Sequence, residues 1–313
     1  VFMNDLTVKQ ETDVLDISKT PKKYKRRFGD RKDGRRLRTI DPLTTVAPFI
    51  MPSRVGAMNY IQDAIPMDNI EEFIKKKRAE GMPGFGAMHI LVAAYIRMLS
   101  QKPALNRFLS GLRIYARHNI EVIMAVKKEL SIDAPETMIK FVFSPDATVN
   151  DVYYQFTEKI KAFKESSDEP SNFDNVASLL GKIPRFLLKS AISFLKFLDY
   201  NGWLPKFLTD LSPFHGSLVI TSMASLGIPA IFHHLYNFGN VPVFIAFSAI
   251  RKENELEKDG SVKRVRYLDL NISTDERICD GHYYSVAFHE LRRNLKNPEL
   301  LDNPPEKVVE DIA

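Results

Sequence analysis

A mixed α/β domain is the fold class this 313-residue sequence predicts, and three observations carry it. Short runs place apolar residues at every second position, as in Leu268, Leu270 and Ile272 against Asp269, Asn271 and Ser273; these read as half-buried strands. Other segments repeat apolar residues every three or four positions, as in Tyr284, Ala287, Phe288, Leu291 and Leu295, which mark one helix face. Between those two examples lies a strand-to-helix junction, residues 275–281, with Asp280 and Gly281 in its turn. Such a junction holds side chains rigidly.

Taken in chain order, residues 59–65 form a strand. Asp68 and Glu71 are spaced as a capping box, and Ile70, Phe73 and Ile74 give the buried stripe of the helix that follows, closed by Gly81. Residues 88–99 are apolar nearly all round, the pattern of a buried helix, with Pro103 just past its end. Strands are predicted over 120–126 and 138–143. An amphipathic helix runs through Val149, Val152, Phe156, Ile160 and Phe163. Further strands cover 219–222, 243–250 and 262–272, the last two joined by a turn at Asp259 and Gly260. Residues 176–211 stand apart. They carry sixteen Leu, Ile, Phe or Trp residues with Lys182, Arg185, Lys189, Lys196 and Lys206 threaded through them. They read as a helical hairpin inserted in the domain or packed at a subunit interface. Two other readings stay open: a lid over an apolar pocket, and a basic amphipathic helix in peripheral contact with a membrane.

Composition bounds the function. The hydrophobic fraction of 44% is that of a folded protein. The net charge of +5 is unevenly placed: residues 18–39 hold eleven Lys or Arg and two Asp, a local +9, which leaves the rest of the chain at −4. Residues 1–45 therefore read as a basic arm, wrapped on the surface or partly disordered, and 46–313 as the folded domain. No nucleic-acid motif accompanies the arm, and Tyr24 and Phe28 are too few for a stacking platform, which argues against nucleic acid as partner. A single cysteine, Cys279, excludes an internal disulfide and fits a reducing cytoplasm. No stretch reads as a secretory signal, and no apolar run approaches the ~20 residues that span a bilayer. The adjacent His233 and His234 lack a third spaced ligand, so no metal site is expected.

The junction reads Asp275-Glu276-Arg277-Ile278-Cys279-Asp280-Gly281. It resembles the DHRxxDG signature of the dihydrolipoyl acyltransferase cores of 2-oxo acid dehydrogenase complexes, and the related HxxxDG of chloramphenicol acetyltransferases. Weaker matches keep the same order: residues 53–78 look like the family's opening helix, strand and following helix; KPALN at 102–106 resembles a Pro-x-Leu-Asn helix end; NIEV at 119–122 resembles an Asn-Ile-Gly-Val strand; LVITSMASLG at 218–227 is similar to a strand and turn; and 285–301 look like the final helix.

The resemblance implies a two-layer α/β sandwich with a mixed sheet, assembled as a homotrimer with active sites at the subunit interfaces. It implies coenzyme A or acyl-CoA as substrate, no metal, and a small-molecule acyl acceptor. The arm is too short to hold the family's lipoyl and peripheral-subunit-binding domains, which points to a stand-alone organisation. In the family the signature His is the general base; here Glu276 stands in its place. A carboxylate starts near ~4.3, a weak base unless burial raises it. His282 is a substitute candidate. Thr221 aligns with the family's oxyanion-stabilising Ser, with Ser222 one step along, and Asp280 is expected in a structural ion pair with Arg54 or Arg277. Cys279 invites a nucleophile reading, against which stands the ordinary fate of a small buried thiol. Two functions follow, an atypical CoA-dependent acyltransferase or a catalytically lapsed trimeric scaffold or acyl-CoA-binding protein; a third and weaker reading is a basic-arm protein that docks on a membrane or nucleic acid.

Overall fold

The computed structural model describes residues 25–127, 136–165 and 182–313. A seven-stranded mixed sheet forms one layer. Its strands are β2 (Met58–Pro66), β5 (Ile120–Lys127), β6 (Glu136–Phe143), β7 (Leu218–Ser222), β8 (Val243–Phe247), β9 (Arg251–Leu256) and β10 (Val262–Asp275). They run in the order β2-β10-β8-β7-β5-β6, with β9 paired to the first half of β10. β7 is parallel to β5 and to β8, and the other pairings are antiparallel.

Alternation decides which side of the sheet each residue serves. Val122 and Met124, Leu218 and Ile220, Ile245 and Phe247, and Leu268, Leu270 and Ile272 face the main core, which α2 (Asp68–Ala79), α3 (Ala87–Gln101), α4 (Val149–Glu165) and α7 (Gly281–Lys296) cover. Their neighbours Ile123, Val219 and Phe244 face the other way, onto Leu235 and Val241. The central helix is α3, buried at every position from Ile90 to Ser100, as its all-round apolarity predicts. Even Arg97 is buried there, its guanidinium donating to the carbonyls of Leu300 and Asn303.

Several expectations need correction. No capping box forms at Asp68: it is the first helical residue, Glu71 N–H donates to Met67 O (2.8 Å), and the Glu71 carboxylate pairs with Arg266 (3.0 Å). The predicted strand 243–250 breaks after Phe247 and resumes at Arg251, so the hairpin turn at Asp259 and Gly260 joins β9, not β8, to β10. The opening helix lies before residue 53, as α1 (Pro42–Ile50), capped by Asp41, which accepts from Thr44 N–H (2.9 Å).

The described part of the expected arm is built into the domain. β1 (Gly34–Arg36) pairs with β4 (Arg113–Arg117), which pairs with β3 (Arg107–Ser110), giving a second, three-stranded sheet. Arg31 is buried between Asp33 (2.9 Å) and Asp199 (2.8 Å), and Arg38 pairs with Asp30 (3.0 Å). Arg35 donates to the carbonyls of Asp311 and Ile312. Much of the basic cluster is thus spent on structure, and Lys19, Lys22 and Lys23 lie outside the described residues.

Of the apolar segment 176–211, residues 182–211 are described and helical, as α5 (Arg185–Tyr200) and α6 (Lys206–Leu211). Asp199 bolts α5 to the domain. Its carboxylate meets Arg31, with His215 Nε2 3.4 Å away, and its carbonyl accepts from Ser110 Oγ (3.0 Å). Burial alone would push the Asp199 carboxyl up; His215 and Arg31 outweigh it and bring it to about 2. Because the folded value lies below the unfolded ~3.9, the stabilisation is fully present above about pH 4 and disappears as pH falls through about 2. Asp199→Asn should therefore lower stability at pH 7 by roughly 2–3 kcal/mol. Urea midpoints of variant and parent should converge between pH 4 and pH 2; a gap that is constant with pH would refute the linkage.

Candidate functional site

The end of β10 and the start of α7 alternate between burial and exposure, which sorts the signature residues. Asp275 N–H donates to Pro242 O and Glu276 N–H to Ala57 O, each at 2.9 Å, so the backbone is pinned on both sides. Asp275, Arg277, Ile278 and Cys279 turn inward, and Glu276, Asp280, Gly281 and His282 are exposed.

Beneath the surface lies a charge clamp. Arg277 grips Asp275 with two parallel contacts, Nε to Oδ1 (2.7 Å) and Nη2 to Oδ2 (2.8 Å). Arg54 Nε adds a third, 3.2 Å from Oδ2. The remaining donors are used as well. Arg54 Nη1 reaches the carbonyls of Tyr236 (2.7 Å) and Gly239 (2.8 Å), Arg277 Nη1 that of Met51 (3.0 Å), and Tyr284 OH that of Asp275 (2.8 Å). Burial pulls the Arg54 guanidinium below its ordinary value, with Asp275 opposing the shift. The clamp ties the end of α1, the 236–239 loop and the helix start to one carboxylate.

The ion pair expected at Asp280 is therefore formed by Asp275 instead. Asp280 sits outside the core as the N-cap of α7, accepting from Tyr283 N–H (2.8 Å), which satisfies one of the free amides of the helix start. Cys279 is buried, and burial pushes its thiol up to about 12, which argues against a nucleophile's role. His233 stacks on Phe244 (ring centroids 4.2 Å apart) and His234 meets Tyr236 edge-on, both contacts of packing.

A cleft of about 470 Å³ opens between β2 and α7 beside this junction, lined among others by Tyr60, Thr274, Gly281, Tyr284, Phe288 and His289. The ion-paired Asp63 and Arg292 line it too. Its volume is in the range of small-molecule sites. Sequence reasoning missed these cleft residues, because β2 and α7 are over 200 positions apart. It also passed over Asp275 as an anchor, although that residue is the first letter of the signature.

Thr221 and Ser222 end β7, half-buried, before the turn closed by Gly227 in the left-handed region (φ 68°). They are not beside Glu276. Register puts Thr221 level with Ala246 of β8 and so with Asn271 of β10. Glu276 is five residues further on and two strands across, ~16 Å along the sheet and ~10 Å over it. Within one chain the candidates form two separate groups, Glu276 with His282 and Thr221 with Ser222.

No protein-family model matches the chain, and no curated protein matches its sequence. Solved structures do match. A probable dihydrolipoamide acetyltransferase from Listeria monocytogenes superposes at TM-score 0.52 with 12% identity, covering 83% of this chain and 94% of that one. A truncated catalytic core of the 2-oxoacid dehydrogenase multienzyme complex from Thermoplasma acidophilum gives TM-score 0.50 with 13% identity, covering 84% and 98%. This is the acyltransferase-core fold. A chloramphenicol acetyltransferase also aligns, at TM-score 0.48 and 11% identity over 83% of this chain and 99% of that one, too loosely to add weight. At such identities the likeness concerns the fold alone. Among the described residues of this core, no group of His, Cys, Asp or Glu could hold a metal ion, and no helix is long and apolar enough to cross a membrane.

Proposed function

We propose that the chain is an atypical CoA-dependent acyltransferase that works as a homo-oligomer, a trimer by the family pattern, with Glu276 as its proton acceptor. The observation that carries this reading is the division of the site. Glu276 and His282 lie exposed at a rigid junction beside a cleft, while Thr221 and Ser222 end a strand far across the same sheet. A neighbouring subunit supplies the missing half of each site. Exposed apolar residues are available for that contact: Leu43, Phe49 and Ile50 of α1, and Leu226, Ile231 and Phe232 after β7.

In the reaction, Glu276 takes the proton of the acceptor's thiol, hydroxyl or amine as that group attacks the thioester carbonyl. The tetrahedral oxyanion receives a hydrogen bond from Thr221 or Ser222 of the adjacent subunit. The carbon–sulfur bond then breaks, and the departing CoA thiolate recovers the proton from Glu276. The charge clamp at Asp275 holds the junction still throughout. Arg54 and Arg277 act here as positioning residues only.

An exposed carboxylate is a poorer base than imidazole near neutral pH, so turnover should be slow. Acetyl-CoA should bind by calorimetry and release thiol slowly with added acceptors. Glu276→Gln should lower that rate, and Glu276→His should raise it by about 10²-fold. Binding with no turnover, indifferent to both substitutions, would favour the lapsed acyl-CoA binder. No binding would remove the CoA reading altogether.

A further inference from the structure

We propose that the face formed by α5 and α6 docks on an anionic lipid surface. The aromatic side chains enter the acyl boundary and the flanking cationic groups stay at the phosphates. This inference is independent of the acyl-transfer reading.

α5 has more large apolar residues than one helix face can bury. Leu188, Ile192, Leu195 and Leu198 are half-buried, and Asp199 on the same helix is buried. Phe186, Leu187, Phe194 and Phe197 point outward, Phe186 at 70% exposure. The display continues past the turn at Gly202, with Trp203 at 63% and Phe207 at 67%. Single exposed apolar residues need no explanation, whereas a contiguous aromatic set does.

Charge identifies the occupant. At 100° per residue, Arg185, Lys189 and Lys196 fall within a stripe about 40° wide, and the sector that holds Phe186, Phe194 and Phe197 begins about 60° further round the helix. Among the described residues, Lys182, Arg185, Lys189 and Lys196 are in no ion pair. The only acids in 182–211 are already engaged, Asp199 with Arg31 and Asp210 with Lys206. A basic row bordering an aromatic face suits acyl chains beneath anionic headgroups. An antiparallel two-fold pairing of this face with a second copy would bring the basic row against itself.

The orientation is built in. Arg31 and Ser110 hold Asp199 at the last turn of α5, which fixes the rotation of the helix and keeps the phenylalanines outward. The Tyr200 carbonyl meanwhile presses on the turn at Gly111, where an added Cβ would come within 2.3 Å of its oxygen.

The chain carries its own reporter, because Trp203 is its one tryptophan and lies on this face. The full chain should be titrated with phosphatidylserine–phosphatidylcholine vesicles and, separately, with phosphatidylcholine alone. Trp203 emission should shift to the blue with the anionic vesicles only, and added salt should reverse the shift. The double variant Lys189→Glu, Lys196→Glu should weaken binding at least tenfold, given roughly fivefold per basic residue at such a surface. Phe186→Ser with Phe194→Ser should abolish the shift, while thermal melting stays that of the parent, since both side chains are exposed and neither touches Trp203. The proposal is overturned by no shift with anionic vesicles, by an equal shift on neutral ones, or by salt-insensitive binding. It also fails if the shift follows protein concentration without lipid, which would assign the face to self-association. Should a variant unfold, the parent's response to lipid charge and salt decides alone.

Discussion

Asp275→Asn should cost the fold about 3–5 kcal/mol, read as a fall in the urea midpoint at unchanged slope. The change is nearly isosteric, so packing is hardly touched and the loss is electrostatic. Arg54 and Arg277, both almost fully buried, would keep their charges with no carboxylate in direct contact, Asp199 acting on Arg54 only from further off. Arginine does not escape by losing its proton at ordinary pH, so the structure must open or admit water. Removing all three charges together, with Arg54→Met, Asp275→Leu and Arg277→Met, should recover part of the loss. Recovery stays incomplete because the carbonyls of Tyr236, Gly239 and Met51 lose their donors. A cost below about 1 kcal/mol for Asp275→Asn would mean that the clamp is solvated and no anchor.

The same clamp shows what the sequence could convey. Long, strongly periodic elements were readable: α3, α4, α7, β2, β5, β7 and the second half of β10 each bury one set of positions that composition marks as apolar. The three-stranded sheet was not. Arg107 and Arg117 are strand residues that are buried, Arg107 through Asp311 (2.7 Å) and Arg117 through Asn240 (2.8 Å) and the face of Phe108. A charge in a strand reads as exposed unless its partner is known, and Asp311 is some 200 positions away. α1 did carry a start signal, Asp41 followed by Pro42 at the first helical position, set inside a stretch otherwise dominated by charge. For the site, the signature located the junction and its exposed carboxylate. The distance from Thr221 to Glu276 depends on the register of three strands, two of them parallel, and no local pattern encodes that.

Gly239→Ala should be the most damaging single methyl addition in the described fold, at about 4 kcal/mol or more. Two terms add. The backbone is left-handed (φ 84°), which costs an alanine about 1–2 kcal/mol. The new Cβ would also lie 1.9 Å from the Phe214 carbonyl oxygen and 2.5 Å from its carbon, so a backbone must move. Neither side is free to do so. The Phe214 carbonyl is held by Asn240 N–H (2.7 Å), and Asn240 Oδ1 accepts from Gly216 N–H and Arg117. Gly239 itself accepts from Arg54 of the clamp. Gly260→Ala separates the two terms, since φ is 85° and nothing lies within 4 Å of the added carbon. That variant should lose only the conformational 1–2 kcal/mol. Equal losses at the two sites would show that the loop relaxes around Phe214 and that backbone conformation alone sets the cost. Because Gly239 and Asp275 share Arg54, Gly239→Ala combined with Asp275→Asn should also lose less than the two single losses together.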